Sequence, residues 1–403
     1  MSRPQNARAR RNDPERELDP AQDPFSAEAL HTLVARFGSP LFVIDAERLR
    51  AQYRTLAAAL PKVTLYYAVK SLPHPDVLAV LRDAGACFDL ATTGEVELMR
   101  ALGIAPARCI HTHPVKREVD IRNALAYGVN RFVVDREEEL EKLARLRHRP
   151  LSALIRVAFS GPDVLCDLSR KFGCRPEAVA GLIAYAAELG VPVEGLSFHA
   201  GSQARESALH ARAVTQCLEL MAEARGRGAA LATLDIGGGF PVDYGEGALP
   251  IDEFCAPIRA ALAQAPPDIR VIAEPGRYVS APAAVAVASV MGCAERNGLW
   301  WYYLDDGIYG SYSGQMFDHV RYPVQALVAD GPRRPSVLAG PTCDSLDLIA
   351  ERTLLPPLAT GDLVVGHMMG AYTYASASEF NLFPRPTVVT LDGGRRLVAE
   401  RAR

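Results

Sequence analysis

Between residues 41 and 274, short apolar runs alternate with longer stretches in which apolar positions recur three and four residues apart. The apolar runs fall at 41–44, 63–69, 87–90, 109–111, 131–134, 154–159, 195–199, 233–236 and 270–274. Their brevity and their Val, Ile and Leu content predict buried strands. The stretches at 75–84, 93–102, 118–127, 137–146, 176–189, 206–225 and 251–264 predict helices with one apolar face. Strands alternating with helices build parallel βα units. Roughly eight units over about 240 residues predict a closed (β/α)8 barrel, the α/β class. An open doubly wound sheet is the other arrangement that this alternation permits.

The texture changes after Arg277. Runs at 284–291, 299–304, 335–338, 362–365 and 386–391 are strand-like, with Pro-containing turns at Tyr322-Pro323 and Leu355-Pro356-Pro357. Few helical patterns remain, so a second, mainly β domain is expected. The division reads as a tail at 1–24, a segment at 25–39 that packs on the β domain, a barrel at 40–278 and a C-terminal β-sandwich or β-barrel at 279–403. The tail is polar, Arg-rich and acidic, with no apolar centre. It reads as disordered rather than as a secretory signal.

Composition narrows the function classes. The 403 residues suit two domains, and 49% hydrophobic with 23% charged residues is ordinary for a soluble chain. A net charge of −3 gives no electrostatic reason to expect nucleic acid or a membrane surface. No apolar run approaches the ~18 residues of a membrane span. Eight cysteines are scattered without a C-x-x-C pair, so neither a metal site nor a disulfide framework is expected. Free thiols in a chain with no export signal point to the cytoplasm.

The chemistry lies where polar residues end the apolar runs. Catalytic groups of a parallel barrel sit at the C-terminal ends of its strands. Lys70, Asp89, His111, Arg156, His199, Asp235 and Glu274 all stand at or near such ends. An amine like that of Lys70 forms a Schiff base when a carbonyl is held against it, although most strand-end lysines are simply solvated charges. Gly237-Gly238-Gly239 follows a strand and either wraps a phosphate with backbone N–H groups or forms a flexible turn. The dinucleotide and P-loop fingerprints both fail, since Phe240-Pro241-Val242 follows. In Glu274-Pro275-Gly276-Arg277 the Arg suits a dianionic phosphate and the Glu a protonated ring nitrogen, or the four residues are an ordinary Glu/Arg surface turn. His199-Ala200-Gly201-Ser202 offers a flat ring for stacking and a hydroxyl for a phosphate. Gly340-Pro341-Thr342-Cys343-Asp344 carries a thiol proton donor beside a carboxylate, or is an ordinary Asx turn. Asp305-Asp306-Gly307 is a second acidic turn.

Ordered together, these motifs resemble the fold-type III pyridoxal-phosphate decarboxylases of basic amino acids. The resemblance runs from about Phe42 to Pro386. It rests on Tyr67-Ala68-Val69-Lys70, Phe88-Asp89-Leu90-Ala91, Lys171-Phe172-Gly173, His199-Ala200-Gly201-Ser202, Asp235 to Pro241, Glu274-Pro275-Gly276-Arg277, Cys343-Asp344 and Gly370-Ala371-Tyr372-Thr373. The turns at 305–311 and 340–344 are similar to those of the ornithine/lysine branch. Ala200, Asp305 and Glu379 depart from its usual pattern, and Glu379 adds a carboxylate near the expected substrate end.

The resemblance implies an alanine-racemase-like barrel with a C-terminal β domain, and pyridoxal 5'-phosphate as cofactor. It implies Lys70 as cofactor anchor, Glu274 on the ring nitrogen and His199 stacked on the ring. It implies Ser202, Gly239, Gly276, Arg277 and Tyr372 at the phosphate, with Asp89 and Arg156 shaping the region around the ring. Cys343 would be the proton donor, Asp306 and Asp344 would bind the distal ammonium of the substrate, and Tyr309 and Phe380 would line its site. Cys343 and Asp344 would come from the second subunit of a homodimer. The expected reaction is decarboxylation of L-ornithine or L-lysine. The alternatives are a diaminopimelate or secondary-metabolite decarboxylase, an amino-acid racemase, and a homologue without catalysis.

Overall fold

The computed structural model describes residues 23–159, 164–166, 170–204, 206–329 and 331–397, so the expected tail at 1–24 lies almost wholly outside the described residues. The first eleven strands are β1 (Leu41–Asp45), β2 (Val63–Ala68), β3 (Cys87–Leu90), β4 (Cys109–His111), β5 (Arg131–Val134), β6 (Ser152–Val157), β7 (Val164–Cys166), β8 (Val193–Phe198), β9 (Ser202–Ala204), β10 (Thr233–Asp235) and β11 (Arg270–Ala273). Eight of them, β2 to β6 with β8, β10 and β11, close a parallel barrel. Closure is made by β11 against β2, with Val271 opposite Val63 and Ala273 opposite Leu65. Tyr66, Ile110, Val133, Leu154 and Ile272, one from each of five strands, pack together as an inner layer. Their neighbours Tyr67, Phe88, Phe132, Ile155 and Leu196 belong to the larger cluster under the helices. The alternation is the two-residue period of a strand wrapped into a barrel.

The sequence reading placed residues 41–44 in the barrel, and the structure does not. β1 pairs antiparallel with β12 (Ala284–Arg296) and parallel with β18 (Thr387–Asp392). Its Leu41 and Val43 pack with Leu30 and Leu33 of helix α1 (Ala27–Phe37), while Phe42 and Ile44 join the barrel-side cluster. A run buried on both faces carries no sign of which sheet it joins. Helix α2 (Ala46–Ala59) also went unread, because Arg, Gln and Thr dilute its apolar stripe. Asp45 starts it by accepting N–H bonds from Glu47 and Arg48.

The β domain is a nine-stranded sheet among the described residues, and it includes β1. Its strands β13 (Leu299–Leu304), β15 (Arg334–Ala339), β17 (Leu363–Gly366) and β18 match expected runs. The strands β14 (Val324–Ala326), β16 (Leu348–Leu355) and β19 (Arg395–Leu397) were not expected. Two contacts bring this domain onto the barrel rim. The Tyr372 N–H donates to the Ser71 carbonyl at 2.9 Å. At Gly370 a Cβ would lie 1.7 Å from the Ser280 carbonyl oxygen, so only glycine allows the approach. No described helix is long and apolar enough to cross a membrane.

Candidate active site

β2 ends at Ala68, and Lys70 sits in the tight turn Val69–Ser71 that follows. Its Nζ donates to Asp89 Oδ2 at 2.8 Å, and Asp89 Oδ1 accepts from the Thr112 hydroxyl. Asp89 is buried, whereas the Lys70 side chain is 46% exposed at the mouth of the barrel. Loss of water around Lys70 works against its charge, but Asp89, Glu274 and Tyr372 outweigh it and raise its pKa. The amine is an ammonium held by carboxylates and open on one side.

Glu274 follows β11 and faces Asp235, which ends β10. Burial first, then Asp235 and Asp89, push the Glu274 carboxyl well above its ordinary value. Asp235 is fixed from behind by the Gly237 N–H at 2.9 Å and the Ser197 hydroxyl at 3.1 Å. Two buried carboxyls that face each other oppose each other's ionisation, and both are raised.

His199 follows β8, and its Nδ1 accepts the Gly201 N–H at 3.0 Å. Burial, with Arg156 and Lys70 nearby, drives its pKa well down. The ring is therefore neutral, with its proton on Nε2 as assigned from that bond. Arg156, on β6, lies over the Phe172 ring at 5.6 Å.

A third group surrounds Arg277, which is 4% exposed. Its Nε donates to the Ser202 hydroxyl at 3.2 Å and its Nη1 to the Tyr244 hydroxyl at 3.0 Å. Its Nη2 donates to Asp318, and the guanidinium lies 4.9 Å from the Tyr372 ring centre. The loops beside it are packed without room for side chains. At Gly239 (φ +97°) a Cβ would lie 2.0 Å from the Gly201 carbonyl oxygen. At Gly276 it would lie 2.9 Å from the Tyr372 hydroxyl. Such bare backbone beside a buried guanidinium is an anion cradle.

These observations fit pyridoxal phosphate on this chain's own geometry: an open amine, a buried carboxyl pair, a flat imidazole and bare backbone beside a buried guanidinium. Lys70, Glu274, His199 and the group of Ser202, Gly239, Gly276, Arg277 and Tyr372 would hold it.

The Cys343 loop forms a separate, exposed cluster. The Cys343 N–H donates to Asn381 Oδ1 at 3.2 Å. Asp344 accepts from the Leu346 N–H at 2.9 Å and from the Tyr309 hydroxyl, and the two bonds hold its pKa below the ordinary carboxylate value. Tyr309 stacks on Phe380 with ring centres 4.5 Å apart. No hydrogen bond or ion pair among the described residues joins this loop to Lys70, Glu274 or Arg277. Glu379 is exposed at its edge.

Asp306 is a correction. It is 4% exposed, and its Oδ1 accepts the Gly307 and Ser311 N–H groups at 2.8 and 2.9 Å. It shapes the turn that carries Tyr309, and its Oδ2 is buried without a hydrogen-bond partner. His111 is likewise buried beside Phe132, with neither ring nitrogen bonded. Sequence reasoning missed Asp318 and Tyr244, which touch Arg277, and Asp347, which accepts from Ile308 and Thr342 N–H at 2.9 and 3.0 Å and ties the two acidic loops together. The signal for Asp347 was Gly307 and Gly340, where a Cβ would meet its carboxylate at 2.2 and 2.1 Å.

A parallel barrel with a lysine at a strand end, a buried carboxyl pair and a buried guanidinium beside bare backbone, joined to a β domain, is the frame of a fold-type III pyridoxal-phosphate enzyme. The chain matches the family described as "Pyridoxal-dependent decarboxylase, pyridoxal binding domain" over residues 46–281, and it belongs to that family, in the ornithine/lysine branch. It is 35% identical to the lysine/ornithine decarboxylase of Selenomonas ruminantium over 91% of this chain and 94% of that protein. The structure of lysine/ornithine decarboxylase from Vibrio vulnificus complexed with putrescine superposes with a TM-score of 0.87 at 52% identity, covering 91% of this chain and 99% of that one. The arginine decarboxylase of Paramecium bursaria Chlorella virus superposes with a TM-score of 0.86 at 29% identity, covering 91% and 100%.

Proposed function

We propose that this chain decarboxylates L-lysine or L-ornithine to the diamine and carbon dioxide. The observation that carries the reading is the convergence of Lys70–Asp89, Glu274–Asp235 and the Arg277 cradle on one end of one barrel. Pyridoxal phosphate supplies, when bound, a ring that accepts the electrons of the broken carboxylate bond. Lys70 would anchor it, and Asp89 would orient the Lys70 nitrogen and balance positive charge on it. Glu274, backed by Asp235, would sit against the ring nitrogen and balance positive charge there. His199 presents an uncharged face. Arg277, Ser202, Gly239, Gly276 and Tyr372 would hold the phosphate.

The proton for the product carbon comes from the partner's Cys343 in this reading, and the distal ammonium meets the partner's Asp344. Support for a shared site lies in the exposure of the thiol loop and of the apolar residues around it. Leu346, Phe380, Leu382 and Phe383 are 67, 41, 88 and 37% exposed, a patch suited to burial against a second copy. A reducing cytoplasm suits the seven described cysteines, none of which is paired.

Carbon dioxide release from L-ornithine, L-lysine, L-arginine and meso-diaminopimelate tests the proposal. Lysine and ornithine are expected to lead, because carboxylates rather than a free cation await the distal group. Faster release from diaminopimelate, or racemisation of lysine without carbon dioxide, would overturn it.

A further inference from the structure

Behind the triglycine loop lies a histidine that the proposed reaction does not use. His210 sits on the helix Ala208–Gly226 and is fully buried. Its Nε2 lies 2.9 Å from the carbonyl oxygen of Ile236, the residue that precedes Gly237-Gly238-Gly239. A carbonyl only accepts, so Nε2 carries the proton and donates it. Among the described residues no backbone N–H donates to that carbonyl, and the imidazole supplies its partner. The ring stacks on Phe240 with centres 5.5 Å apart, and stands edge-on to Phe198 at 5.6 Å and to Phe254 at 6.4 Å. Phe240 follows Gly239, and Phe198 precedes His199. One side chain therefore grips both ends of the glycine loop and the strand end that carries the His199 imidazole. Its Nδ1 is buried with no hydrogen-bond partner, a cost that a residue chosen only to pack among three phenylalanines would avoid. What the imidazole adds to that packing is its N–H. The loop it holds has no slack in front. A Cβ at Gly237 would lie 2.2 Å from the Phe198 carbonyl oxygen, and one at Gly238 would lie 2.6 Å from that of Glu274.

We propose that His210 is a positioning residue for the cofactor phosphate: its N–H holds the Ile236 carbonyl and so keeps the triglycine loop in the shape that receives the anion. It acts through the loop and touches neither the phosphate nor the ring. The inference rests on the reading of Gly239, Gly276 and Arg277 as the phosphate site. Burial holds the His210 pKa down at about 4, so the ring stays uncharged and the bond persists at neutral pH. Without the bond a buried carbonyl has no partner, and the loop relaxes in the empty protein. The phosphate must then draw the loop back, and that work is lost from binding. One neutral hydrogen bond sets the expected loss at about tenfold in affinity.

Two variants of the full-length protein test this. His210→Phe keeps a ring among the three phenylalanines and removes the donor. His210→Gln gives up the ring and keeps an N–H for the Ile236 carbonyl. Titration of the absorbance band with pyridoxal phosphate gives the affinity, and phosphorus-31 NMR of the loaded protein reports the surroundings of the phosphate itself. His210→Phe is expected to bind the cofactor about tenfold more weakly, with its phosphorus resonance moved toward that of the free cofactor. His210→Gln should recover most of the affinity and the wild-type resonance. Wild-type affinity in His210→Phe overturns the inference. A loss of affinity with the resonance unmoved also overturns it, because that marks a general loosening of the barrel rather than a change at the phosphate. A Gln variant no better than the Phe variant does the same. Failure of the site reading itself would show separately, as a cofactor affinity that Gly239→Ala leaves unchanged.

Discussion

Asp306 offers a sharp separation of a structural carboxylate from a substrate-binding one. Burial, the leading cause, pushes its carboxyl up from the ordinary 3.8 to about 6, against the opposing Gly307 and Ser311 N–H bonds. A carboxyl whose folded pKa is raised costs nothing below its unfolded value and costs most above its folded one. The interval from 3.8 to about 6 corresponds to about 3 kcal/mol at pH 8, of which about half is already present at pH 5. Asp306→Asn keeps an oxygen for the two N–H donors and removes the ionisation. It forfeits about 1 kcal/mol because neutral acceptors bind less strongly. The stability of the variant relative to wild type should therefore rise by about 1.5 kcal/mol between pH 5 and pH 8, as read by urea unfolding at the two values. Its KM for lysine should stay within about twofold, since no lost contact reaches the substrate. A KM raised about a hundredfold, with no pH-dependent gain in stability, would show that Asp306 holds the substrate after all.

Gly239→Ala should weaken cofactor binding by about a hundredfold, because the new methyl group collides with the Gly201 carbonyl and the backbone sits at φ +97°. Titration of the cofactor absorbance band checks this, and unchanged affinity would remove Gly239 from the cradle. Asp347→Asn turns one of two N–H acceptors into a donor and should cost about 1–3 kcal/mol of loop order. The expected result is a fall in kcat with the cofactor spectrum intact, and equal loss of both would contradict the separation of the two clusters.

The parts of the site legible in the sequence were those that interrupt a pattern. Glu274 and His199 are polar ends on apolar runs, and Gly239 is a glycine where a strand should turn. The eight barrel strands followed from the same alternation. Residues 41–44 looked like a ninth member because an apolar run does not say which sheet it joins, and only its pairing with β12 and β18 places it. Asp318 was invisible because it follows a four-residue helix with no period to read. Asp306 was misread for the opposite reason. An acidic Asp-Asp-Gly turn resembles a cation site until its Oδ1 is seen to accept two N–H groups of its own turn. Tyr244 and Asp347 act through long-range contacts, which no local window contains.

The account stands or falls on Lys70. Borohydride reduction of the protein loaded with pyridoxal phosphate, followed by digestion and mass spectrometry, locates the lysine that carries the cofactor. The label is expected on Lys70, with the visible absorbance lost on reduction and no label in Lys70→Ala. A label on Lys62, Lys116 or another lysine, or none at all, would contradict the site assembled around Asp89, Glu274 and Arg277.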